Sequence, residues 1–250
     1  MKPILTIDQL SIVHRVSEQR LLNQVTLSLQ PGEVLGLVGA SGSGKSLLAQ
    51  GIFHLLPTNL YRTGEIYYNK RPITTHDRGT NLVYIPQSVE ALDPLMKVGK
   101  QIVEVIREMN PEQKMLELLQ RLGLQKEMAS KYPFQLSGGE ARRVLVAIAF
   151  ATQAEVVIAD EPTPGLDEAT KREVITLFQE LQQSGKTILF ITHDFDVGLQ
   201  LADRIAVMNQ GEIVEVADQT SFSGDGDQLQ HPYTKKLWQA LPQNDFTGSS

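Results

Sequence analysis

The sequence predicts an α/β fold: a mixed β-sheet with an antiparallel β subdomain at its N-terminal end and a helical subdomain inserted into it. Three observations carry that reading. Near the start, "ILTIDQLSIV" and "QVTLSLQ" alternate apolar and polar residues, as half-buried antiparallel strands do. Further on, "VLGLVG" (34–39), "VVIAD" (156–160) and "TILFITHD" (187–194) are continuous apolar runs, the mark of strands buried on both faces. From about 95 to 135 the period turns helical and no strand pattern breaks it.

In chain order, "VLGLVG" leads through a glycine-rich turn into "SLLAQGIFHLLP", a helix closed by Pro57. "GEIYYN" and "NLVYIPQ" read as two more strands, the second ending at Gln87. "MKVGKQIVEVIREM" and "PEQKMLELLQRLGL" carry apolar residues at helical spacing, with Pro111 suited to the first position of the second helix. Between the last two buried strands lies the helix "EATKREVITLFQELQQSG", which Gly185 is placed to cap. "IAVMN" and "EIVEVA" are short strands joined by a turn at Gln210-Gly211. "SFSGDGDQLQ" reads as a polar loop, "PYTKKLWQAL" as a short helix and "NDFTGSS" as a frayed end. The organisation expected is one domain: residues 1–87 and 138–220 form the core with its β subdomain, 88–137 the helical subdomain, and 221–250 a C-terminal loop and helix.

At 250 residues, 41% hydrophobic and 21% charged, the chain can bury a full core. No run approaches the 18 or so apolar residues of a membrane-spanning helix, and "MKPILTIDQL" does not read as a signal peptide. Zero cysteines exclude disulfides, thiolate metal sites and a cysteine nucleophile, and a cytoplasmic address fits. A net charge of −6 argues against nucleic acid as a partner, because displacing counterions from phosphates takes a basic face. The basic clusters "TKREV", "ARR" and "YTKK" read as solvated helix faces.

"GASGSGKS" fits G-x-x-x-x-G-K-[ST], with a buried strand before it and a helix after it, as a phosphate-binding loop requires. Gly39, Ala40, Ser41, Gly42, Ser43 and Gly44 would turn backbone N–H groups inward at a helix N-terminus, where the dipole favours anions. Lys45 would reach the β- and γ-phosphates, and Ser46 would offer its hydroxyl to Mg²⁺. Asp160, at the end of a buried strand, is a metal-side carboxylate. Glu161 is a candidate general base if the chain turns there, as the following Pro162 favours; otherwise the pair is an acidic cap on the next helix. His193 closes "TILFITHD" as either a structural histidine or a donor to the γ-phosphate. Gln87 is either a sensor of water or Mg²⁺ or a plain surface glutamine.

A second glycine-rich helix start, "LSGGE" at 136–140, puts Ser137, Gly138, Gly139 and Glu140 ahead of "ARRVLVAIAFA". One nucleotide already has its cradle in Lys45's loop, so the second makes sense if it caps the nucleotide of another copy.

Taken in order, "GASGSGKS", Gln87, "LSGGE", "VVIADEP", "GLD" (165–167) and His193 resemble the ATP-binding cassette of an ABC transporter, over nearly the whole chain. The resemblance implies a P-loop NTPase core, ATP and Mg²⁺ as cofactors, and ATP hydrolysis coupled to transport. It implies dimerisation with a second ATPase subunit, identical or similar, and Asp167 as the loop residue that speaks across the dimer. It also implies integral membrane permease subunits, a solute-binding protein acting indirectly, and a peripheral place on the cytoplasmic side of the bacterial inner membrane. "QSVEALDPLMKVGKQIVE", "YPFQLSGGE" and "HPYTKKLWQALP" are similar to the peptide and nickel importer group; the absence of a cysteine-rich tail inclines towards its nickel or metallophore members. Glu140 replaces that family's usual glutamine, Pro164-Gly165 replace a small polar pair, and His14 and Val16 stand where an adenine-stacking aromatic is common. Cassette ATPases of DNA repair or translation are the alternative, and a kinase or GTPase would leave "LSGGE" unexplained.

Overall fold

The computed structural model describes residues 2–241, so the "NDFTGSS" end lies outside the described residues. Its elements in chain order are β1 (Leu5–His14), β2 (Arg20–Leu29), β3 (Val34–Val38), α1 (Lys45–Ile52), β4 (Leu60–Tyr68), β5 (Arg71–Pro72) and β6 (Leu82–Ile85). Then come α2 (Val98–Val105), α3 (Pro111–Arg121), α4 (Gly138–Ala151), β7 (Val156–Asp160) and α5 (Glu168–Gln183). The chain closes with β8 (Thr187–Thr192), α6 (Phe195–Leu201), β9 (Arg204–Asn209), β10 (Glu212–Asp218) and α7 (Pro232–Gln239). They fall into two compact units, Met1–Pro72 with Phe190–Ser250, and Ile73–Leu189.

In the first unit, β2, β1, β4 and β5 pair in that order as an antiparallel sheet. The alternation read in "ILTIDQLSIV" is interrupted by bulges around Leu10, where Gln9 and, on β2, Gln24 take left-handed φ of 47° and 46°. β3 is buried throughout and runs parallel to β9, which pairs antiparallel with β10 across the Gln210-Gly211 turn. Arg204 donates from Nε to Glu33 at 2.6 Å and from Nη2 to the Ser28 carbonyl, tying β9 to the turn before β3. Phe195, Phe222 and the single tryptophan, Trp238, pack ring against ring with centroids 5.3–6.1 Å apart, seating α7.

In the second unit β6 runs parallel to β7, Tyr84 opposite Ile158. Among the described residues no strand lies between Ile85 and Val156; α2, α3, α4 and short 3₁₀ turns fill that stretch. Pro111 is the first residue of α3. Gly185, at φ 88°, ends α5 in a Schellman motif: Gly185 N–H donates to the Gln182 carbonyl and Lys186 N–H to that of Leu181.

Three expected boundaries move. The helix after the glycine turn stops at Ile52, because His54 adopts φ 51° and closes a Schellman motif of its own, with Leu55 N–H donating to the Gln50 carbonyl. The strand expected to end at Gln87 ends at Ile85, since Pro86 has no N–H to extend a ladder. His193 follows β8 rather than closing it, with the Thr192 hydroxyl accepting the Asp194 N–H. No helix among the described residues is long and apolar enough to cross a membrane.

Candidate functional site

In the first unit, β3 delivers the chain into Gly39–Gly44 and α1 leads it away. Only glycine fits at two of those positions. A Cβ on Gly39 would collide with the Met208 carbonyl, and one on Gly44, the α1 N-cap at φ 108°, with the Leu22 side chain. The loop is pinned from outside by the Gly211 N–H, which donates to the Ser43 carbonyl at 2.9 Å. Lys45 is only 6% exposed and folds back on its own loop, its Nζ donating to the Gly39 and Ala40 carbonyls at 2.9 and 3.1 Å. The Ser43 hydroxyl is buried with no protein partner, and the first turn of α1 carries no acidic residue. A cation, an unclaimed hydroxyl and a helix N-terminus free of negative charge together fit a triphosphate. Ser46 stands next on α1, and His193 is exposed in the segment after β8. At the β1–β2 turn the His14 ring nitrogen accepts the Ser17 N–H, while Val16 stands out in solvent at 86% exposure.

In the second unit, Asp160 ends β7 at 1% exposure. The Tyr84 hydroxyl donates to its Oδ2 at 2.9 Å. That bond follows from the register: Tyr84 lies opposite Ile158, and Asp160, two residues further, shares its face of the sheet. Burial first, and then Asp160's charge, push the Tyr84 phenol up, so it stays a donor. The expected turn falls on Glu161, which is buried and left-handed at φ 49°. Such a conformation costs a non-glycine residue roughly 1–2 kcal/mol. Arg142 of α4 holds it, Nη1 donating to the Glu161 carbonyl at 3.2 Å and to the Pro86 carbonyl at 3.3 Å. A hydrogen bond from a charged donor is worth about 1.5–3 kcal/mol, so even long ones offset the strain. Gln87, the residue after Pro86, is exposed.

Reading "ARR" as a solvated face fails at Arg142, which is 7% exposed; Arg143 alone pairs outward, with Glu173 at 2.9 Å. Burial lowers the Arg142 pKa and the charges of Asp160 and Glu161 oppose that shift. Arg142 shares a helical stripe with buried Val146 and Ala149, a spacing that could have marked it in the sequence. Tyr84, the polar-tipped residue in "LVYIP", gave a fainter signal.

Ser137 is the N-cap of α4 in a reciprocal capping box: its Oγ accepts the Glu140 N–H, and its own N–H donates to Glu140 Oε2 at 2.7 Å. Glutamic acid in place of glutamine therefore keeps the cap, and the bond from Ser137 holds its carboxyl below the usual range. The N–H groups of Gly138 and Gly139 have no acceptor within the helix. Asp167 caps α5, accepting the Ala169 and Thr170 N–H groups and the Thr170 hydroxyl; those bonds, led by the Thr170 N–H, lower its pKa. Pro164-Gly165 form the centre of a turn closed by Leu166 N–H on the Thr163 carbonyl, Gly165 at φ 76° as a type II turn demands.

The chain matches the ABC transporter family over residues 22–164. It is 36% identical to the probable D,D-dipeptide transport ATP-binding protein DdpD of Escherichia coli K12, across 97% of this chain and 80% of that one. It is 33% identical to the metal-staphylopine import system ATP-binding protein CntD of Staphylococcus aureus, across 94% of this chain and 92% of that one. Its fold is similar to the dimeric structure of MJ0796, a bacterial ABC transporter cassette, with a TM-score of 0.75 at 26% identity over 86% of this chain and 98% of the other. The ADP- and phosphate-bound post-hydrolysis dimer of that cassette matches equally well. These relatives give no support to a DNA-repair or translation cassette. With ATP as substrate and Mg²⁺ as its cofactor, the chain belongs to the ABC transporter family, as an ATPase of the peptide and nickel importer group.

Proposed function

We propose that this ATPase drives a bacterial importer of short peptides or peptide-like metal chelates, and that it works as one of a pair closed around two ATP molecules. Each nucleotide is held by the Gly39–Ser46 loop of one subunit and the Ser137–Gly139 helix start of the other, the partner being identical or a similar cassette. The capped, glycine-faced start of α4 carries this reading: Ser137 and Glu140 satisfy each other and leave the Gly138 and Gly139 donors for an outside anion. DdpD and CntD, named for dipeptide transport and metal-staphylopine import, support the solute class.

Lys45 balances the β- and γ-phosphate charge, and His193 donates to the γ-phosphate. Ser46, Asp160 and Gln87 would hold Mg²⁺, whose chemistry there is neutralisation of phosphate charge. Tyr84 fixes the rotamer of Asp160 from behind. Glu161 accepts the proton of the attacking water at its carboxylate. Asp167 helps the two subunits sense each other.

Permease subunits dock through a short cytoplasmic helix on the stretch from Gln87 to Gly99. The Gln101 side chain donates to the Asp93 and Met96 carbonyls and accepts the Asp93 N–H, which leaves Leu95 projecting at 87% exposure. The subunit then lies on the cytoplasmic side of the inner membrane, fed indirectly by a solute-binding protein. A cysteine at Leu95 should cross-link to a permease loop; cross-linking only from cysteines elsewhere on the subunit refutes this docking surface.

The main test is Glu161→Gln, which keeps size and the water contact but cannot take the proton. With ATP and Mg²⁺ it should associate, with itself or its partner cassette, and turn over at least 100-fold more slowly. A variant that binds ATP yet stays monomeric with every candidate partner present overturns the shared site.

A further inference from the structure

We propose that Arg142 is a positioning residue that joins the α4 helix start to the loops carrying Gln87 and Glu161, so that engagement of Ser137–Gly139 by a facing nucleotide sets the hydrolytic groups of the same subunit. The inference rests on the roles given above to Glu161 and to the α4 start.

Arg142 lies five residues into α4 from its Ser137 cap, about 7–8 Å along the axis. Its Nη1 alone reaches two carbonyls from separate parts of the chain, those of Pro86 and Glu161. Both follow directly from the ends of the paired strands β6 and β7, and both are one bond away from a group with a proposed chemical role. Pro86 precedes Gln87, and the Glu161 carbonyl belongs to the left-handed residue whose side chain would take the proton. Because both bonds end on backbone, they fix where the two loops sit relative to α4. A displacement of the helix start is then carried to both loops together.

The arrangement is poor as a plain stabilising tie. Arg142 is a buried cation whose Nε has no partner, a cost that an apolar residue of similar length would avoid. The neighbouring Arg143 differs in its partner: its Nη1 pairs with the Glu173 carboxylate, whereas the Nη1 of Arg142 ends on backbone carbonyls. Lysine at 142 would keep the charge and could share one ammonium between both carbonyls, as Lys45 does in its own loop, but on a flexible stem without the rigid plane that fixes the direction of Nη1.

The test uses Arg142→Met and Arg142→Lys in the full chain, together with Glu161→Gln and Glu161→Gln/Arg142→Met. Arg142→Met should lower kcat at least tenfold while KM for ATP and the affinity of a fluorescent ATP analogue stay within twofold, and Arg142→Lys should recover part of the loss. Hydrogen–deuterium exchange supplies a readout apart from turnover. In Glu161→Gln, ATP with Mg²⁺ should protect three segments together: 138–140, 87–89 and 161–163. In the double variant only 138–140 should gain protection. Joint protection of all three in the double variant, or kcat of Arg142→Met within twofold of wild type, overturns the proposal. Should Arg142→Met not fold, Arg142→Lys carries both comparisons, and wild-type kcat with wild-type joint protection overturns it equally. If Glu161→Gln alone shows no ATP-driven protection at 138–140, the failure belongs to the shared-site reading instead.

Discussion

Two glycine-rich helix starts, Gly39–Ser46 and Ser137–Gly139, look alike in the sequence and are built in opposite ways. The first has no side-chain cap: its N-cap is Gly44, its first-turn side chain Lys45 is buried, and the lysine ammonium stands in among the loop carbonyls. The second has a reciprocal side-chain cap, no lysine, and an exposed serine at its head. A start without a cap, holding a cation inside, is organised around a ligand that completes it. A start that caps itself is stable alone and can present two donors to something that comes and goes. The first therefore grips the nucleotide and the second answers to it.

The largest break in this comparison should come from Lys45→Ala. It removes the only side-chain cation of the first cradle and should lower ATP hydrolysis by about 10²–10³-fold. Phosphate release by the purified variant measures it, and wild-type turnover would refute the assignment of the loop.

Next in size is a pair of changes at Ser137. Ser137→Arg places a bulky side chain where a facing phosphate would approach; it should abolish ATP-driven association in the Glu161→Gln background while leaving ATP binding to the single subunit within twofold. Ser137→Ala removes only the cap, costing roughly 1 kcal/mol, and should weaken association without preventing it. Sedimentation of the two side by side separates blocking from loss of the cap. Equal loss in both would mean that the cap, and not the open approach, is what matters.

What the sequence shows and what it hides divide along the same line of local against distant causes. The phosphate loop is legible because its strand, glycines, lysine and serine lie within thirteen residues. Glu140 and Pro164-Gly165 look like departures from a family pattern until the capping box and the turn show that each has a local job. The early end of α1 was hidden because His54 takes a conformation usually given to glycine. Arg142 was hidden in its role. The stripe it shares with Val146 and Ala149 marks it as buried, but its partners are carbonyls 56 and 19 residues away, and no helical pattern reports on those. Tyr84 similarly acquires its meaning from Asp160, 76 residues on, through a strand register that the sequence does not state.

The smallest expected effect tests the second start most finely. Glutamine at 140 can still accept the Ser137 N–H, so Glu140→Gln keeps the capping box and removes only the charge. That charge interacts favourably with the positive end of α4, worth about 0.3–1 kcal/mol at an exposed helix end, so the variant should melt about 1–3 °C lower at pH 7. The folded-state pKa of Glu140 is depressed, chiefly by the Ser137 N–H. Its contribution is therefore present above the unfolded carboxyl pKa and lost as pH falls through the folded value. The difference between wild type and variant should shrink to nothing on acidification, since a neutral carboxyl and an amide are then nearly equivalent. Association should move the other way. A carboxylate in the first turn repels a facing γ-phosphate, so at pH 7 Glu140→Gln in the Glu161→Gln background should associate at about two- to fivefold lower ATP, a gain of under 1 kcal/mol. A variant less stable alone yet readier to pair would show that the α4 start meets an anion from outside its own chain. Weaker pairing in step with lower stability would assign Glu140 to the helix and nothing further.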